Sequence, residues 1–328
     1  MGTITNRDAI RRAIQEEMRR DPSVFLFGED VAEPGGVFKV SQGLLDEFGP
    51  ERVFDTPISE SALAGIAVGA AMMGMRPVLE IMFADFTTIA MDGIVNSAAK
   101  ARYLSGGEVT VPLTIRMTYG AGPRWGAQHT QSVESWLANV PGLSIVMPSD
   151  AYDLLGLLKS AIRSPDPVIF LEHKQTYARK GEVPDDEYLV PIGRADIKRR
   201  GDDVTIVASG AMVDRALTAA ETLDARGTSA EVVDIRTVLP LDVATIVGSV
   251  VRTGHLVVVH EAPVFGGIGG EIAAAVAHEA FGYLDAPVQR LGGAWAPIPF
   301  GGVLLDAYLP SVADIVDAAG RTLGAPVG

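Results

Sequence analysis

Apolar residues occur along this chain in short uninterrupted runs, separated by longer stretches with helical periodicity. Runs of Val, Ile and Leu without polar alternation indicate strands buried on both faces, which is typical of parallel sheets covered by helices. The runs in the first half that predict strands are Val24–Phe27, Pro77–Ile81, Leu113–Arg116, Leu143–Val146 and Val168–Leu171. An α/β fold is therefore expected for this half of the chain.

Polar residues at the starts of the intervening segments predict where helices begin. Thr5 with Asp8 resembles a capping box, and Ser59 and Ser149 are expected to cap two further helices. The segment Phe86–Tyr103 is long enough for a helix of several turns. These helices alternate with the predicted strands, as they do in a doubly wound sheet.

The alternation stops between His173 and Arg200, where charges, prolines and glycines dominate, so this segment is predicted to be a linker. The pattern then resumes with predicted strands at Val204–Val207, Glu231–Asp234, Leu256–Val259 and Val288–Leu291. The prediction is an α/β chain of two doubly wound parallel-sheet domains, residues 1–180 and 201–328, joined by a linker at 181–200.

Charge and composition narrow the function classes. Acidic residues outnumber basic ones 41 to 27, which argues against a nucleic-acid surface built from clustered Lys and Arg. The absence of cysteine excludes disulfides and a thiolate nucleophile. The N-terminus is polar and the uncharged stretch Ser61–Met75 is shorter than the ~18 residues of a membrane span. A cytoplasmic protein without membrane association is expected.

One glycine-rich run invites comparison with a dinucleotide-binding turn. Gly266–Gly270 lies between a predicted strand ending at Val259 and a helix beginning near Glu271, which is where such a turn would lie. Ile272 stands where the third glycine of the fingerprint is required, so a structural loop is favoured. An NAD-binding dehydrogenase is kept as an alternative of a different class.

Three segments carry the clearest resemblance to a known family: Gly28–Ala32, Phe54–Glu60 and Gly126–Gln131. In this order and spacing they resemble the β subunits of thiamine-diphosphate-dependent 2-oxo acid dehydrogenases, which are transketolase-like, and the resemblance extends over nearly the whole chain. It implies a pyrimidine-binding domain followed by a transketolase C-terminal-like domain. It also implies oxidative decarboxylation of a 2-oxo acid, pyruvate or a branched-chain acid, with acyl transfer to lipoyl groups.

The resemblance assigns roles to particular residues. Considered alone, Glu60 is typical of a helix-capping carboxylate. The resemblance implies that it hydrogen-bonds a ring nitrogen of the cofactor's aminopyrimidine. A carboxyl in an apolar pocket has a raised proton affinity, which suits this task. His129 is implied to face the reacting centre, either in proton transfer or in receiving the lipoyl group. The resemblance also implies that the aminopyrimidine pocket is lined by Ile58, Met82 and Phe86. Without the resemblance, these apolar residues would be predicted to belong to the hydrophobic core.

Some relatives bind a potassium ion through backbone carbonyls. The residues matching that ion's site are Leu113, Ala161, Ile162, Ser164 and Asp166. Pro165 departs from the pattern in this segment. Potassium is therefore an expectation that rests on the resemblance alone.

The chain carries only half of the expected cofactor site. No Gly-Asp-Gly occurs, and Gly201–Asp203 fails that pattern, so another chain is expected to supply the diphosphate end. The resemblance implies that this partner is an α subunit, which holds the diphosphate and its Mg²⁺ in a dimer of α–β pairs. The resemblance also implies docking on a lipoyl acyltransferase core, for which Asp306, Asp314 and Asp317 are candidate contacts. An acetoin dehydrogenase β subunit and a non-catalytic scaffold remain as alternatives.

Overall fold

The computed structural model describes residues 2–122 and 124–324. The chain divides into two compact units, each of which is described by itself. Unit 1 comprises Met1–Tyr119 and Trp136–Ile192, and unit 2 comprises Gly120–Ser135 and Gly193–Gly328. Among the described residues, no helix is both long and apolar enough to cross a membrane.

Unit 1 contains most of the elements that the apolar runs predict. Its strands are β1 (Gly2–Thr5), β2 (Val24–Gly28), β3 (Val53–Asp55), β4 (Arg76–Ile81), β5 (Thr114–Tyr119), β6 (Ser144–Val146), β7 (Val168–His173) and β8 (Lys180–Val183). Its helices are α1 (Asn6–Arg20), α2 (Leu44–Phe48), α3 (Glu60–Met72), α4 (Thr87–Asp92), α5 (Ala99–Leu104) and α7 (Ala151–Arg163), with α6 (Glu134–Ala138) where the chain re-enters this unit.

Six of these strands form a parallel sheet in the order β6-β7-β5-β4-β2-β3. The strands β2, β5 and β7 are buried along their whole lengths, as expected for apolar strands covered on both faces. From β2 the chain passes to β3 on one side, whereas from β4 it passes to β5 on the other. The order therefore reverses between β2 and β4, and open α/β sheets bind ligands beyond the carboxyl ends of the strands at such a point.

Three sequence-based expectations for unit 1 require correction. Asp150, not Ser149, is the N-cap of α7, because its side chain accepts the Asp153 amide. The predicted helix Phe86–Tyr103 is helical but changes type, with a π-helical stretch at Gly93–Ala98 between α4 and α5. The predicted linker, 181–200, is not devoid of structure, since it contains all but the first residue of β8, which pairs antiparallel with β1.

Unit 2 is a smaller sheet covered by helices. Its strands are β9 (Asp196–Arg199), β10 (Val204–Ala208), β11 (Ala230–Asp234), β12 (Thr237–Leu239), β13 (Leu256–Pro263) and β14 (Gln289–Gly293). Its helices are α8 (Met212–Asp224), α9 (Val243–Thr253), α10 (Ile268–Glu279), α11 (Gly302–Tyr308) and α12 (Val312–Thr322). Five strands pair in the order β14-β13-β10-β11-β9, all parallel except β9 against β11.

The glycine run before α10 is explained by a buried histidine. A Cβ atom on Gly267 would lie 2.5 Å from His260 Cε1, and one on Gly269 would lie 2.8 Å from His260 Nε2. His260 is buried on β13, and its Nδ1 lies 2.9 Å from the Ala262 carbonyl oxygen. Burial lowers the pKa of His260 to about 4, so the imidazole is neutral at pH 7. Gly267 and Gly269 leave room for the His260 imidazole, so the glycine run Gly266–Gly270 has a structural explanation.

Alanine at Gly269 is expected to lower the free energy of unfolding by about 1–3 kcal/mol, because the added methyl group would overlap a ring enclosed by backbone. Gly270→Ala is the matched control, since the nearest atom to its Cβ is the flexible Arg290 Nη1 at 3.3 Å. In a helix this control should be neutral or stabilising by up to about 1 kcal/mol. Urea unfolding of both variants measures the difference, and equal midpoints would show that His260 does not require Gly269.

Candidate active site

The carboxyl ends of β2, β3 and β4 lie side by side at one edge of the unit 1 sheet. Gly28 of β2 pairs with Asp55 of β3 and with Glu80 of β4. The segments that follow these strands therefore begin at the same edge, and they contain Glu29, Ile58–Glu60 and Met82–Phe86. Of the four residues predicted to line the cofactor pocket, Ile58 follows β3, and Met82 and Phe86 follow β4. The fourth, Glu60, begins the helix after β3. The position is the point where the strand order reverses.

Glu60 is the first residue of α3 and is 4% exposed. Ser59 precedes it at the N-cap position, as predicted, but its side chain makes no capping hydrogen bond. The only acidic residue in the first turn of α3 is Glu60, and a carboxylate there is stabilised by the unpaired amides of the helix N-terminus. By contrast Ile58, two residues earlier, is 81% exposed. A buried carboxyl and an exposed apolar side chain thus lie two residues apart in the sequence.

Glu29 is a second buried carboxyl that the sequence analysis did not single out. Its Oε1 atom has no hydrogen-bond partner in residues 2–122 and 124–324. Burial raises the pKa of Glu29 to about 6, and the negative charge of Glu60 adds to the rise. A backbone hydrogen bond from Ser59 offsets part of it. The charge of Glu60 therefore opposes ionisation of Glu29.

The other pocket residues lie after β4. Met82 is half-buried, and its carbonyl accepts a hydrogen bond from the Thr118 hydroxyl. Phe86 is also half-buried and meets the Phe83 ring edge-on, with ring centroids 6.0 Å apart. Each therefore has part of its apolar surface open, which an apolar slot for a flat ligand requires.

A fully buried ion pair lies within the same sheet. Arg116 on β5 donates to both oxygens of Glu172 on β7, at 2.6 and 2.8 Å, and to Glu80 on β4 at 2.6 Å. Tyr177 donates to Glu172 at 2.7 Å. Burial alone would lower the pKa of Arg116, but the two carboxylates outweigh it and raise that pKa.

This ion pair ties three neighbouring strands together and affects the site above it. Two carboxylates share one guanidinium, so the group keeps one net negative charge. That charge acts on the residues after the strand ends, because Glu80 contributes to the raised pKa of Glu29. In the sequence, Arg116 stands out only as part of a predicted strand. The missed signal is a charged residue in or directly after each of three apolar runs, since buried charges are almost always paired.

His129 lies in unit 2, in the segment Gly120–Ser135. Its side chain is half-buried. The loop around it closes on itself, because the Thr130 hydroxyl donates to the Gly126 carbonyl at 2.6 Å and the Gly120 amide donates to the Gln131 carbonyl at 3.3 Å. The structure thus places His129 in a folded loop of a different unit from Glu60.

The residues of the expected potassium site use their carbonyls in hydrogen bonds. Arg76 Nη1 donates to the carbonyls of Ile162 at 2.9 Å and Ser164 at 3.1 Å. The carbonyls of Leu113 and Ala161 accept the amides of Val168 and Ser164. The carboxylate of Asp166 binds Arg102 through both oxygens, at 2.7 and 2.8 Å. Across the described part of the chain, no three His, Asp or Glu side chains are grouped to hold a metal ion.

Glu134 is a buried carboxyl in unit 2 that the sequence analysis also missed. It is fully buried at the start of α6, and no other described residue donates a hydrogen bond to either of its oxygens. Burial raises the pKa of Glu134 to about 7, and the charge of Glu261 adds to the rise.

Because this pKa is raised on folding, the native state holds the proton more tightly than the unfolded chain does. The stability that this carboxyl contributes is then fully present below about pH 4.5 and is lost as the pH rises through 7, and it amounts to about 3 kcal/mol for a shift from 4.5 to about 7. We expect Glu134→Gln to flatten this fall between pH 5 and pH 8 in urea unfolding. The exposed Glu271→Gln is the control. An unchanged pH dependence in Glu134→Gln would show that Glu134 does not carry a raised pKa.

Comparisons with known proteins agree on one family. Residues 2–180 match the family described as "Transketolase, pyrimidine binding domain", and residues 193–315 match "Transketolase, C-terminal domain". The chain is 50% identical over 322 residues to the mitochondrial pyruvate dehydrogenase E1 component subunit beta-2 of Oryza sativa subsp. japonica, with 97% of this chain and 86% of that protein covered. It is 48% identical over 324 residues to the 2-oxoisovalerate dehydrogenase subunit beta of Bacillus subtilis (strain 168), with 98% and 99% covered.

A solved structure supports the same fold. It is described as "Split gene transketolase, inactive beta4 tetramer", and it superposes with a TM-score of 0.81 at 29% identity. The match covers 98% of this chain and 99% of that one.

Proposed function

Because the chain belongs to the family of transketolase-like β subunits of 2-oxo acid dehydrogenases, we propose that it supplies the pyrimidine half of a thiamine diphosphate site. In this proposal an α–β assembly decarboxylates a 2-oxo acid oxidatively and transfers the acyl group to a lipoyl group. The substrate is pyruvate or a branched-chain 2-oxo acid, since relatives named for each are about equally similar to this chain.

The observation that carries the proposal is the buried carboxyl of Glu60 at the point where the strand order reverses. An aminopyrimidine is a flat heterocycle, and it needs an apolar slot with one well-placed carboxyl. Ile58, Met82 and Phe86 each leave apolar surface open on the segments after β3 and β4. Glu29 leaves a buried oxygen without a partner. These residues fit the pyrimidine end of the cofactor.

Glu60 is proposed to hold a proton at a ring nitrogen of the aminopyrimidine and so to orient that ring. Burial and the neighbouring charge of Glu60 raise the pKa of Glu29 to about 6, so Glu29 holds a proton more readily than a free carboxyl does. Ile58, Met82 and Phe86 are proposed to exclude water from the ring faces. Thiamine diphosphate, when bound, supplies the electron sink for decarboxylation. His129 is proposed to face the reacting centre, in proton transfer or in receiving the lipoyl group.

The diphosphate end is proposed to belong to an α subunit. This chain lacks Gly-Asp-Gly, and the described residues offer no cluster of acidic or histidine side chains for Mg²⁺. The related β-only assembly is described as inactive, which agrees with a site that one type of chain leaves incomplete. We propose a dimer of α–β pairs with Mg²⁺ held mainly by the α chain.

Potassium binding is proposed only if the side chain of Arg76 moves away from the carbonyls of the expected site. In the arrangement described above, the Ile162 and Ser164 carbonyls do not fit a potassium ion, because Arg76 brings its own positive charge to both of them. An ion there would have to displace the guanidinium, and no step of the chemistry is assigned to it. Equal melting temperatures of the complex in KCl and NaCl of the same ionic strength would end this part of the proposal.

Docking on a lipoyl acyltransferase core is proposed through acidic residues near the C-terminus. Asp306 and Asp317 are exposed, whereas Asp314 already caps α12 through a capping box with Ser311. Charge reversal at Asp314 would therefore also damage the helix. Asp306→Lys combined with Asp317→Lys is expected to weaken core binding, measured by co-sedimentation, and undiminished binding would contradict the docking surface.

The experiment that tests the proposal compares this chain alone with its complex with an α chain. Thiamine diphosphate with Mg²⁺ is titrated by calorimetry, and turnover is measured with pyruvate, 2-oxoisovalerate and acetoin. Tight binding and turnover only in the complex are expected, and the fastest of the three identifies the substrate. Tight binding by this chain alone would contradict the half-site. Binding of NAD by the chain alone, without thiamine diphosphate binding in either sample, would favour the dehydrogenase alternative.

A further inference from the structure

Two residues of the loop that carries His129 lie close to one carboxylate of unit 2. This loop, Gly120–Ser135, follows β5 and ends in α6. Glu261 lies near the end of β13 and is buried. Its Oε1 accepts a hydrogen bond from the Ala121 amide, one residue into the loop. The Ser132 hydroxyl lies 3.5 Å from the same oxygen, so a single atom is close to both arms of the loop.

Packing holds the first arm of the loop in place. Ala121 is completely buried in an apolar cluster of unit 2, with Ile298 before α11 and Leu305 and Tyr308 on α11. Tyr308 is pressed against the neighbouring strands, because a Cβ on Gly293 would lie 2.7 Å both from the Tyr308 ring and from the Glu261 carbonyl oxygen. The side chain of Ala121 and its amide are therefore both fixed.

The second arm reaches Glu261 three residues after His129. Between the two arms the Gly120 amide donates to the Gln131 carbonyl, so a movement of either arm would be passed to the other. Loss of the acceptor at Glu261 would leave the Ala121 amide buried without this partner, which costs free energy unless the loop moves to reach water. A loop that moves would carry His129 with it.

We propose that Glu261 is a positioning residue for His129, acting as the hydrogen-bond acceptor that fixes both arms of the loop Gly120–Ser135. The inference rests on the role of His129 given under the proposed function. It assigns Glu261 no contact with substrate or cofactor. What matters is the place of the acceptor atom, not the charge of the carboxylate, because both donors are neutral.

This distinction selects three variants of Glu261 in the α–β complex. Glu261→Gln keeps an amide oxygen that can accept from Ala121, so its turnover number is expected to stay within about threefold of the unmodified complex. Glu261→Asp keeps the charge but withdraws the acceptor by one methylene, and Glu261→Met keeps the volume but removes the acceptor. Both are expected to lose about 10- to 100-fold in kcat, because small misplacements of a reacting group cost that much.

The assay separates positioning from general damage. Decarboxylation with an artificial electron acceptor and acyl transfer to a lipoyl domain are measured side by side, and His129→Ala identifies which of the two depends on His129. The Asp and Met variants are expected to lose kcat in that same assay, with KM for the 2-oxo acid within about twofold. The exposed Glu271→Met is the control and should change neither rate.

The decisive comparison is the double variant Glu261→Asp with His129→Ala. A positioning residue has nothing left to position once the imidazole is gone, so the double variant should be no slower than His129→Ala alone. Multiplied losses in the double variant, or a Gln variant as slow as the Asp variant, would overturn the role of Glu261 while leaving that of His129 intact. If His129→Ala itself changes neither rate, the proposed role of His129 fails and this inference fails with it.

Discussion

Replacing Glu60 with glutamine is expected to lower 2-oxo acid decarboxylation by the α–β complex by on the order of 10²- to 10⁴-fold, the usual contribution of a positioned acid–base group. Glutamine has nearly the same size as glutamate but cannot hold or release a proton. Glu60 is 4% exposed at the start of α3, so water cannot substitute for the carboxyl. The loss should appear in kcat measured with an artificial electron acceptor, which bypasses the lipoyl step.

Two further measurements make this prediction specific. The variant should bind thiamine diphosphate in calorimetry, because the proposed apolar pocket and the diphosphate site proposed on the α chain are unchanged. Glu108→Gln, at an exposed position of the same unit, is the matched control and should keep full activity. A Glu60→Gln complex with activity within about threefold of the control would show that this carboxyl takes no part in proton handling.

Much of the proposed site could be predicted from the sequence because its candidate residues follow the ends of predicted strands. Glu60 stands out after a Pro-containing turn at the start of an apolar helix. Glu29 could have been noticed too, since it directly follows the apolar run Val24–Phe27. Its importance depends on burial beside Glu60, however, and that proximity is created by the pairing of β2 with β3. Sequence patterns report local periodicity and do not report which strands become neighbours.

The same limit explains the errors in the fold. The apolar runs predicted the buried parallel strands correctly, because burial on both faces leaves a clear pattern. The segment 181–200 was predicted as a linker because its composition is polar, yet β9 within it pairs antiparallel with β11 at the edge of the unit 2 sheet. Edge strands carry few apolar residues, so their pairing is set by distant partners. At α7, Asp150 and Ser149 are both good capping residues, and local sequence does not decide between them.

The second large effect is expected at Arg116, where methionine should lower the free energy of unfolding by about 3–5 kcal/mol. Methionine fills much of the space of arginine but leaves Glu80 and Glu172 buried without their shared cation. Both carboxylates are at most 3% exposed, so water cannot compensate. Arg102→Met is the matched control, because Arg102 also binds both oxygens of a carboxylate, that of Asp166, but at the surface. Exposed pairs contribute about 0–1 kcal/mol.

The pH dependence of the Arg116→Met variant separates lost charge pairing from lost packing. Burial raises the pKa of Glu172 although Arg116 lowers it, so removal of the guanidinium should raise the pKa of Glu172 further. The native state then binds protons more tightly, and stability falls as the pH rises. The deficit of Arg116→Met should therefore be smaller at pH 5 than at pH 8 in urea unfolding of the complex. A deficit that is the same at both pH values would assign the loss to packing. A deficit below about 1 kcal/mol at pH 8 would mean that the sheet tolerates Glu80 and Glu172 without their shared cation.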